Sequence, residues 1–489
     1  MERRAGAEGK AVELGTRRTP GRGSVSPGLD RLRQVARERK QEKFTALLHH
    51  IDVDLLRSAY GWLAKDAAAG VDGVSWREYG EELEARLAGL KDRIHRGAYR
   101  ALPSRRVYIP KADGRQRPLG IAALEDKIVQ RAVVEVLNAI WEPVFQGFSY
   151  GFRPGRGQHD ALDALAVGIC GRKVRFILDA DIAGFFDAVD HEWLIRFVEH
   201  RVGDRRIVRL ISKWLKAGVM EAGEVQPGTV GTPQGAVISP LLANIYLHYV
   251  FDLWAARWRR RQGGGEVILV RYADDIVAGF EHQADAERFL AAMRDRMSAF
   301  GLTLHPEKTR LIEFGRFAAA NRRARGLGKP EAFNFLGFTH ICGTSRRGSF
   351  QLKRKTRRDR MRARLRAIKE GLRRRRHHAI DEQGAWLAQV VRGFFAYHAV
   401  PTNYRALAAF REHVTHLWWR ALGGRSQKDG TKWQRALTLA DRWLPEPRIT
   451  HPWPSQRFAD KYPRWEPGAG KPLAGICAGG ARQRASLPR

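Results

Sequence analysis

Residues 266–280 read EVILVRYADDIVAGF, two apolar, β-branched runs with Asp274 and Asp275 side by side between them. Valine and isoleucine favour extended chain, so the pattern predicts a β-hairpin that carries an acidic pair at its tip. Asp is common in turns because it tolerates left-handed backbone, but here no Gly or Asn follows the pair. Two carboxylates about 4 Å apart repel by about 4 kcal/mol at a protein-surface dielectric. A divalent cation would relieve that repulsion, and the hairpin is therefore expected to bind metal.

Upstream, residues 174–193 read VRFILDADIAGFFDAVDHEW. A β-like run ends in Asp179 and Asp181, which share a strand face and can both point at the hairpin tip, one of them as a ligand. Asp190, ahead of HEWLIRFVEH, reads as a helix N-cap, and Asp187 as support for the turn. Three carboxylates drawn from two segments suit two-metal phosphoryl chemistry better than acid–base hydrolysis. No zinc site competes: His377 and His378 lack partners, and Cys170, Cys342 and Cys477 form no CxxC knuckle. Three cysteines leave one unpaired in any disulfide scheme, which fits a reducing cytoplasm.

The rest of the composition points to a polyanionic partner. Lys and Arg number 87 against 52 Asp and Glu, a net charge of +35, while 44% apolar and 10% aromatic residues are those of a folded protein. Each phosphate neutralised by such a chain releases condensed counterions, so attraction to nucleic acid is expected whatever the fold. At 489 residues two or three packed units are expected. No apolar run is long enough to span a bilayer, and the start, MERRAGAEGK, is polar where a signal peptide needs an apolar stretch. A soluble, unsecreted, cytoplasmic protein without a membrane partner is the expectation.

Along the chain, residues 1–28 are rich in Gly, Arg, Ser and Pro without periodicity and read as a disordered basic lead. From Phe44 the pattern turns helical. Leu83, Leu87, Leu90 and Ile94 repeat at helical spacing up to Gly97 and mark a core stripe. Between about Leu102 and Phe338, short β-like runs alternate with helical stretches, as in an α/β or α+β body. Residues 353–376 then hold fourteen Lys or Arg against Asp359 and Glu370, with Met361, Leu365, Ile368 and Leu372 as a thin apolar seam. Trp418 and Trp419 read as core. From about Gly423 the chain looks turn-rich, with Trp433, Trp443, Trp453 and Trp465 among Arg and Pro.

Several of these stretches together resemble the reverse transcriptases encoded by bacterial group II introns, the maturase proteins. RYADD at 271–275 is similar to the family's catalytic hairpin and DIAGFFD at 181–187 to its first catalytic strand. The remaining motifs occur in family order: AGVDGVSW at 69–76, IPKADGRQRPLGI at 109–121, SYGFRPGR at 149–156, GTPQGAVISPLLANIYLH at 231–248, LHPEKT at 304–309 and FNFLGF at 333–338. The resemblance spans roughly residues 40–460. It implies an α+β right-hand polymerase, with fingers and a palm built on an antiparallel sheet over 29–345, a helical thumb and maturase domain over 346–422, and a basic Trp- and Pro-rich maturase tail over 423–489.

The resemblance also implies roles. Asp181 and Asp274 would bind two catalytic Mg2+ ions, for which Mn2+ can substitute, with Asp275 completing the cluster and the backbone of Ile182 near the nucleotide phosphates. Phe186 would act as an aromatic gate under the sugar that favours dNTPs over NTPs. Lys111 and Arg117 would hold the triphosphate, a point charge and a planar fork respectively. Gln234 would touch the nucleotide from a turn followed by a helix with Ser239 as cap and Pro240 at its first position. Lys308 would neutralise the leaving pyrophosphate. The expected partners are group II intron RNA, an RNA template with a DNA primer, target DNA and dNTPs. The RNA contacts would come from Arg354, Arg357, Arg358, Arg362, Arg373 and Arg374, and from the maturase-like stretches at 393–401 and 425–427. The paired CxxC motifs of the C-terminal DNA endonuclease found in many relatives are missing, so that activity is not expected.

Three other readings compete: a splicing factor with a vestigial polymerase, a defence or adaptive-immunity reverse transcriptase, and a nonspecific packaging protein. The first predicts erosion of the acidic trio, which is intact. The second does not account for the maturase-like tail, nor the third for motifs in fixed order.

Overall fold

The computed structural model describes residues 26–110, 116–221, 223–226, 228, 230–232, 235–425 and 432–461. The strands among them are β1 (Ser104–Pro110), β2 (Gln116–Ile121), β3 (Phe176–Asp181), β4 (Val219–Glu221), β5 (Glu224–Gln226), β6 (Val267–Tyr272), β7 (Asp275–Phe280), β8 (Arg310–Glu313), β9 (Phe333–Phe335), β10 (Phe338–Thr344) and β11 (Phe350–Thr356). They form three sheets, in the orders β2-β1-β4-β5, β6-β7-β3-β8 and β11-β10-β9.

The second sheet is antiparallel throughout. Its strands β6 and β7 are apolar on both faces because both faces are covered. Leu269, Ile276, Ala278 and Phe280 join the core shared with the helices Ser239–Leu247 and Gln283–Ser298. Ile268, Val270 and Val277 join a second core with the helix Gln158–Gly171. This period-two split explains why the hairpin reads as unbroken apolar runs rather than as alternation. The α+β class and the antiparallel palm sheet follow the expectation, and β1 and β2 pair antiparallel on either side of residues 111–115.

Elsewhere the chain departs from the sequence reading in its boundaries. Helix begins at Pro27, capped by Ser26, whereas Phe44 lies in a bridge to Val202 rather than in a helix. The division at 345/346 cuts through the β10–β11 hairpin, which pairs from Phe338–Thr356 to Thr344–Phe350. The QLKRKT stretch is therefore sheet, and the basic helix starts at Arg358. In that helix Ile368 and Leu372 are buried while Met361 and Leu365 pack beside them, against the helices Ile380–His398 and Tyr404–Gly423. Trp418 is buried, with its ring N–H donated to Gln383 Oε1 at 3.0 Å.

The stretch after Gly423 is not turn alone. It forms the helices Trp433–Trp443 and Pro454–Lys461, held by buried Ala436, Ala440 and Phe458. The last of these returns to the helix Gln158–Gly171. Lys461 Nζ donates to Asp160 at 2.6 Å and to the Gly155 carbonyl at 3.0 Å, and the guanidinium groups of Arg354 and Arg457 both bond the buried Asp163. Among the described residues no helix is long and apolar enough to cross a membrane. Residues 1–25, Trp465 and Cys477 lie outside the described residues.

Candidate active site

The β6–β7 turn consists of Ala273 and Asp274, with Ala273 in left-handed backbone at φ 55°. A positive φ at a central turn residue matches the right-handed twist of the flanking strands. Asp275 opens β7, and antiparallel pairing sets Asp181, the last residue of β3, directly across from it. Directly opposed residues carry their side chains on one face with Cβ atoms about 5 Å apart. The two strands thus bring together the carboxylates picked out from the sequence.

Their electrostatics show the strain of that meeting. Although Asp275 opens to solvent at its strand end, the protein mass around its carboxyl, followed by repulsion from Asp274, Asp181 and Asp179, pushes it up to about 7. Asp274 is also raised, by burial and by Asp181, against the pull of Arg117 and Arg271. Asp179 rises to about 7 by burial, with Arg310 opposing; it pairs with Arg310 on β8 and Val277 on β7, away from the turn. Lys308 Nζ lies 2.5 Å from Asp181 Oδ2.

Asp274 and Asp275 suit a divalent cation, since the negative charge that burial and neighbouring carboxylates disfavour there is what a bound cation would offset. Among the described residues no group of three or more Asp, Glu, His or Cys side chains is placed to hold a metal ion. An ion here would complete its shell with phosphate or water oxygens, as hard cations of the Mg2+ type commonly do.

Behind the turn lies a buried polar network. Arg271, fully buried in β6, forms a two-pronged ion pair with fully buried Asp252 at 2.7 and 2.6 Å. It also donates to Asn244 Oδ1 at 3.0 Å, Ser149 Oγ at 2.7 Å and the turn carbonyl of Ala273 at 2.9 Å. Asp252 ends a π-helical turn, His248–Asp252, a form that recurs at functional sites. Asn244 donates in turn to the Gly151 carbonyl at 2.7 Å. Gly151 packs so closely on the hairpin that a Cβ there would lie 2.3 Å from the Ala273 nitrogen. The SYG stretch is therefore clamped to the turn, backbone against backbone.

Ile182 is buried and bridges Leu304; the bonds flanking that bridge use the Asp181 carbonyl and the Ala183 amide, and they dock LHPEKT on the end of β3, which carries Lys308 to Asp181. Phe186 is half-buried, edge-on to Phe185. Its carbonyl accepts the Thr232 amide at 2.7 Å, so the GTPQG stretch starts beside it. Arg117, on β2, is close enough to attract Asp274. Asp190 caps the helix His191–Glu199 through the Trp193 amide at 2.8 Å. Lys111, Gln234 and residues 426–427 lie outside the described residues.

Two readings are corrected. The helix after GTPQG is capped by Ile238, so that Ser239 and Pro240 are its first two residues; Gln130 Oε1 accepts the Val237 and Ile238 amides instead of a serine cap. Arg354 is not an RNA contact: β11 turns it inward, 2% exposed, against Asp163 at 3.2 Å. The guanidinium points inward because Leu352, Arg354 and Thr356 share the buried face of the strand. Arg358, Arg362, Arg373 and Arg374 are exposed along the basic helix, while Arg357 is half-buried and grips Asp359 at 2.7 Å. The sequence signal for the Arg271 network is faint, a lone charge inside the apolar run VILVRY.

Comparison with known proteins adds a family. Residues 109–340 match the model of the reverse transcriptase (RNA-dependent DNA polymerase) family. Protein YkfC of Escherichia coli is 39% identical over 250 residues, 45% of this chain and 66% of that protein. The group II intron-encoded protein LtrA of Lactococcus lactis is 38% identical over 228 residues, 45% of this chain and 37% of LtrA. An uncharacterized 91 kDa protein in the cob intron of Schizosaccharomyces pombe is 33% identical over 260 residues, 43% of this chain and 32% of that protein. The chain thus spans between about a third and just under two thirds of these relatives.

Proposed function

Because residues 109–340 are a reverse transcriptase domain, we propose that the chain copies RNA into DNA by two-metal nucleotidyl transfer and binds group II intron RNA in support of splicing and mobility. The observation that carries this reading is the strand register that sets Asp181 directly across from Asp275, next to the turn residue Asp274. Two Mg2+ ions, or Mn2+ in their place, would activate the primer 3′-OH and neutralise the leaving pyrophosphate. The chain's own part is positioning and charge. Asp181, Asp274 and Asp275 supply the metal-facing oxygens. Arg117, with Lys111 and Gln234, holds the dNTP, and Lys308 exchanges its bond to Asp181 for phosphate oxygen. No protein nucleophile is required.

The test is primer extension on an RNA template with a DNA primer and dNTPs, in Mg2+ and then in Mn2+. Extension in either metal is the expected result. Tight RNA binding with no extension in both would leave a splicing cofactor as the remaining reading.

Phe186 supports the sugar gate because the Thr232 amide fixes its carbonyl beside the start of the GTPQG stretch. Phe186→Val should raise the relative kcat/KM for NTPs over dNTPs by roughly 10–100-fold, with dNTP use changed by less than about threefold. An unchanged ratio would return Phe186 to plain packing.

The basic helix supports the RNA contact through its exposed Arg358, Arg362, Arg373 and Arg374. Arg358→Ala and Arg362→Ala should each lower the slope of log K against log salt for intron RNA by roughly 1, with unfolding midpoints unmoved. Slopes equal to wild type would place the RNA elsewhere.

A further inference from the structure

One aromatic near the site is displayed rather than packed. Phe152 is 41% exposed and holds left-handed backbone at φ 57°, a conformation that costs an L side chain energy and persists only where the surroundings impose it. Both flanks are anchored. On one side Gly151 lies against the hairpin turn and its carbonyl takes the Asn244 amide. On the other, buried Arg153 pairs with Glu142 at 2.8 Å and donates to the Gln146 and Ser149 carbonyls, both at 2.7 Å. Arg156 donates to the Gly147 carbonyl at 2.6 Å and lies over the Tyr150 ring. A loop so pinned does not need its one large apolar side chain in solvent for stability.

The ring stands next to the catalytic turn. Its centroid is 6.3 Å from that of Tyr272, the residue before Ala273 and Asp274. We propose that Phe152 is a substrate-contact residue whose ring packs against the nucleoside of the template–primer duplex nearest the carboxylate hairpin. The ligand chemistry follows from the location and from the ring. Within a stacked duplex the base faces are covered, but each nucleoside still offers the apolar edge of its sugar to a ring beside it; that edge is the same for every base, which suits a polymerase that must accept them all. The inference rests on the polymerase reading above and adds a residue to it.

The test uses the full-length protein and a fluorescent RNA–DNA template–primer, with equilibrium binding read separately from single-nucleotide extension. Phe152→Gly is the informative variant, because glycine adopts this backbone without strain and should leave the unfolding temperature equal to or above that of wild type. It should weaken template–primer binding about 10-fold and raise the template–primer KM to match, with the dNTP KM unchanged. Phe152→Trp should restore binding to within about twofold. Wild-type affinity in Phe152→Gly, or equal loss in the Gly and Trp variants, overturns the proposal. If wild-type protein bound the duplex but failed to extend it, while Phe152→Gly still lost affinity, the contact would stand and the polymerase reading alone would fall.

Discussion

The Asp274→Ala, Asp275→Ala double variant is expected to lose primer extension by at least about 10⁴-fold, since on the proposed mechanism it removes metal-facing oxygens that contribute several kcal/mol of charge stabilisation. Template–primer affinity should change by only a few-fold. The same variant should melt at a higher temperature than wild type in EDTA. Asp275 is raised to about 7 in the folded chain, so the folded state holds a proton that the unfolded chain releases near pH 4. That group's contribution is present at low pH and is lost as pH rises through 7. The melting temperature of wild type without metal should therefore fall between pH 5 and pH 8, and that of the double variant should fall less. Extension persisting above about 1% of wild type would remove the hairpin from the chemistry, whatever the melting curves showed.

Arg271→Met should be the most damaging single change away from the carboxylates. It strands Asp252, fully buried in its ion pair, and loss of one partner of such a pair costs about 3–5 kcal/mol. It also strips the donor from Ala273, Asn244 and Ser149. Arg271→Met combined with Asp252→Leu should recover most of the stability, because two apolar side chains can replace a buried pair at little cost. It should not recover extension, since nothing then holds the turn carbonyl next to Asp274. Urea unfolding and an Mg2+ titration of extension separate the two effects. A double variant with wild-type kcat and Mg2+ requirement would reduce the pair to packing. Arg271→Lys keeps charge without the fork and should raise the Mg2+ requirement while staying folded.

Much of the centre of this molecule was legible in its sequence, for identifiable reasons. The hairpin was readable because β-branched runs flank Asp274 and Asp275, and the partner strand because a second such run ends at Asp181 and is followed by a helix that Asp190 caps. What resisted reading was the role of charges within strands. Arg354 sits among fourteen basic residues, and only the alternation Leu352, Arg354, Thr356 marks it as inward-facing, a pattern that a run of solvated charges easily conceals. The helix Trp433–Trp443 rests on small residues, Ala436 and Ala440, which contribute little to an apolar stripe, while the surrounding Arg and Pro suggest turns. The role of Arg271 was hidden because its partners, Ser149, Asn244 and Asp252, are scattered along the chain.

The double guanidinium clasp on Asp163 also bears on how the protein is made. Arg354 and Arg457 follow Asp163 by 191 and 294 residues. At about 5–20 residues per second of synthesis, the ribosome needs roughly 10–40 s to deliver the first of these arginines and roughly 15–60 s to deliver the second. Throughout that interval the helix that will back the catalytic sheet carries a carboxylate it cannot bury without cost. Such late, distant closure slows folding. The nascent sheet should thus stay loosely assembled until Arg457 has been made, leaving the chain more dependent on chaperones, and more exposed to protease during synthesis, than its well-filled core would suggest.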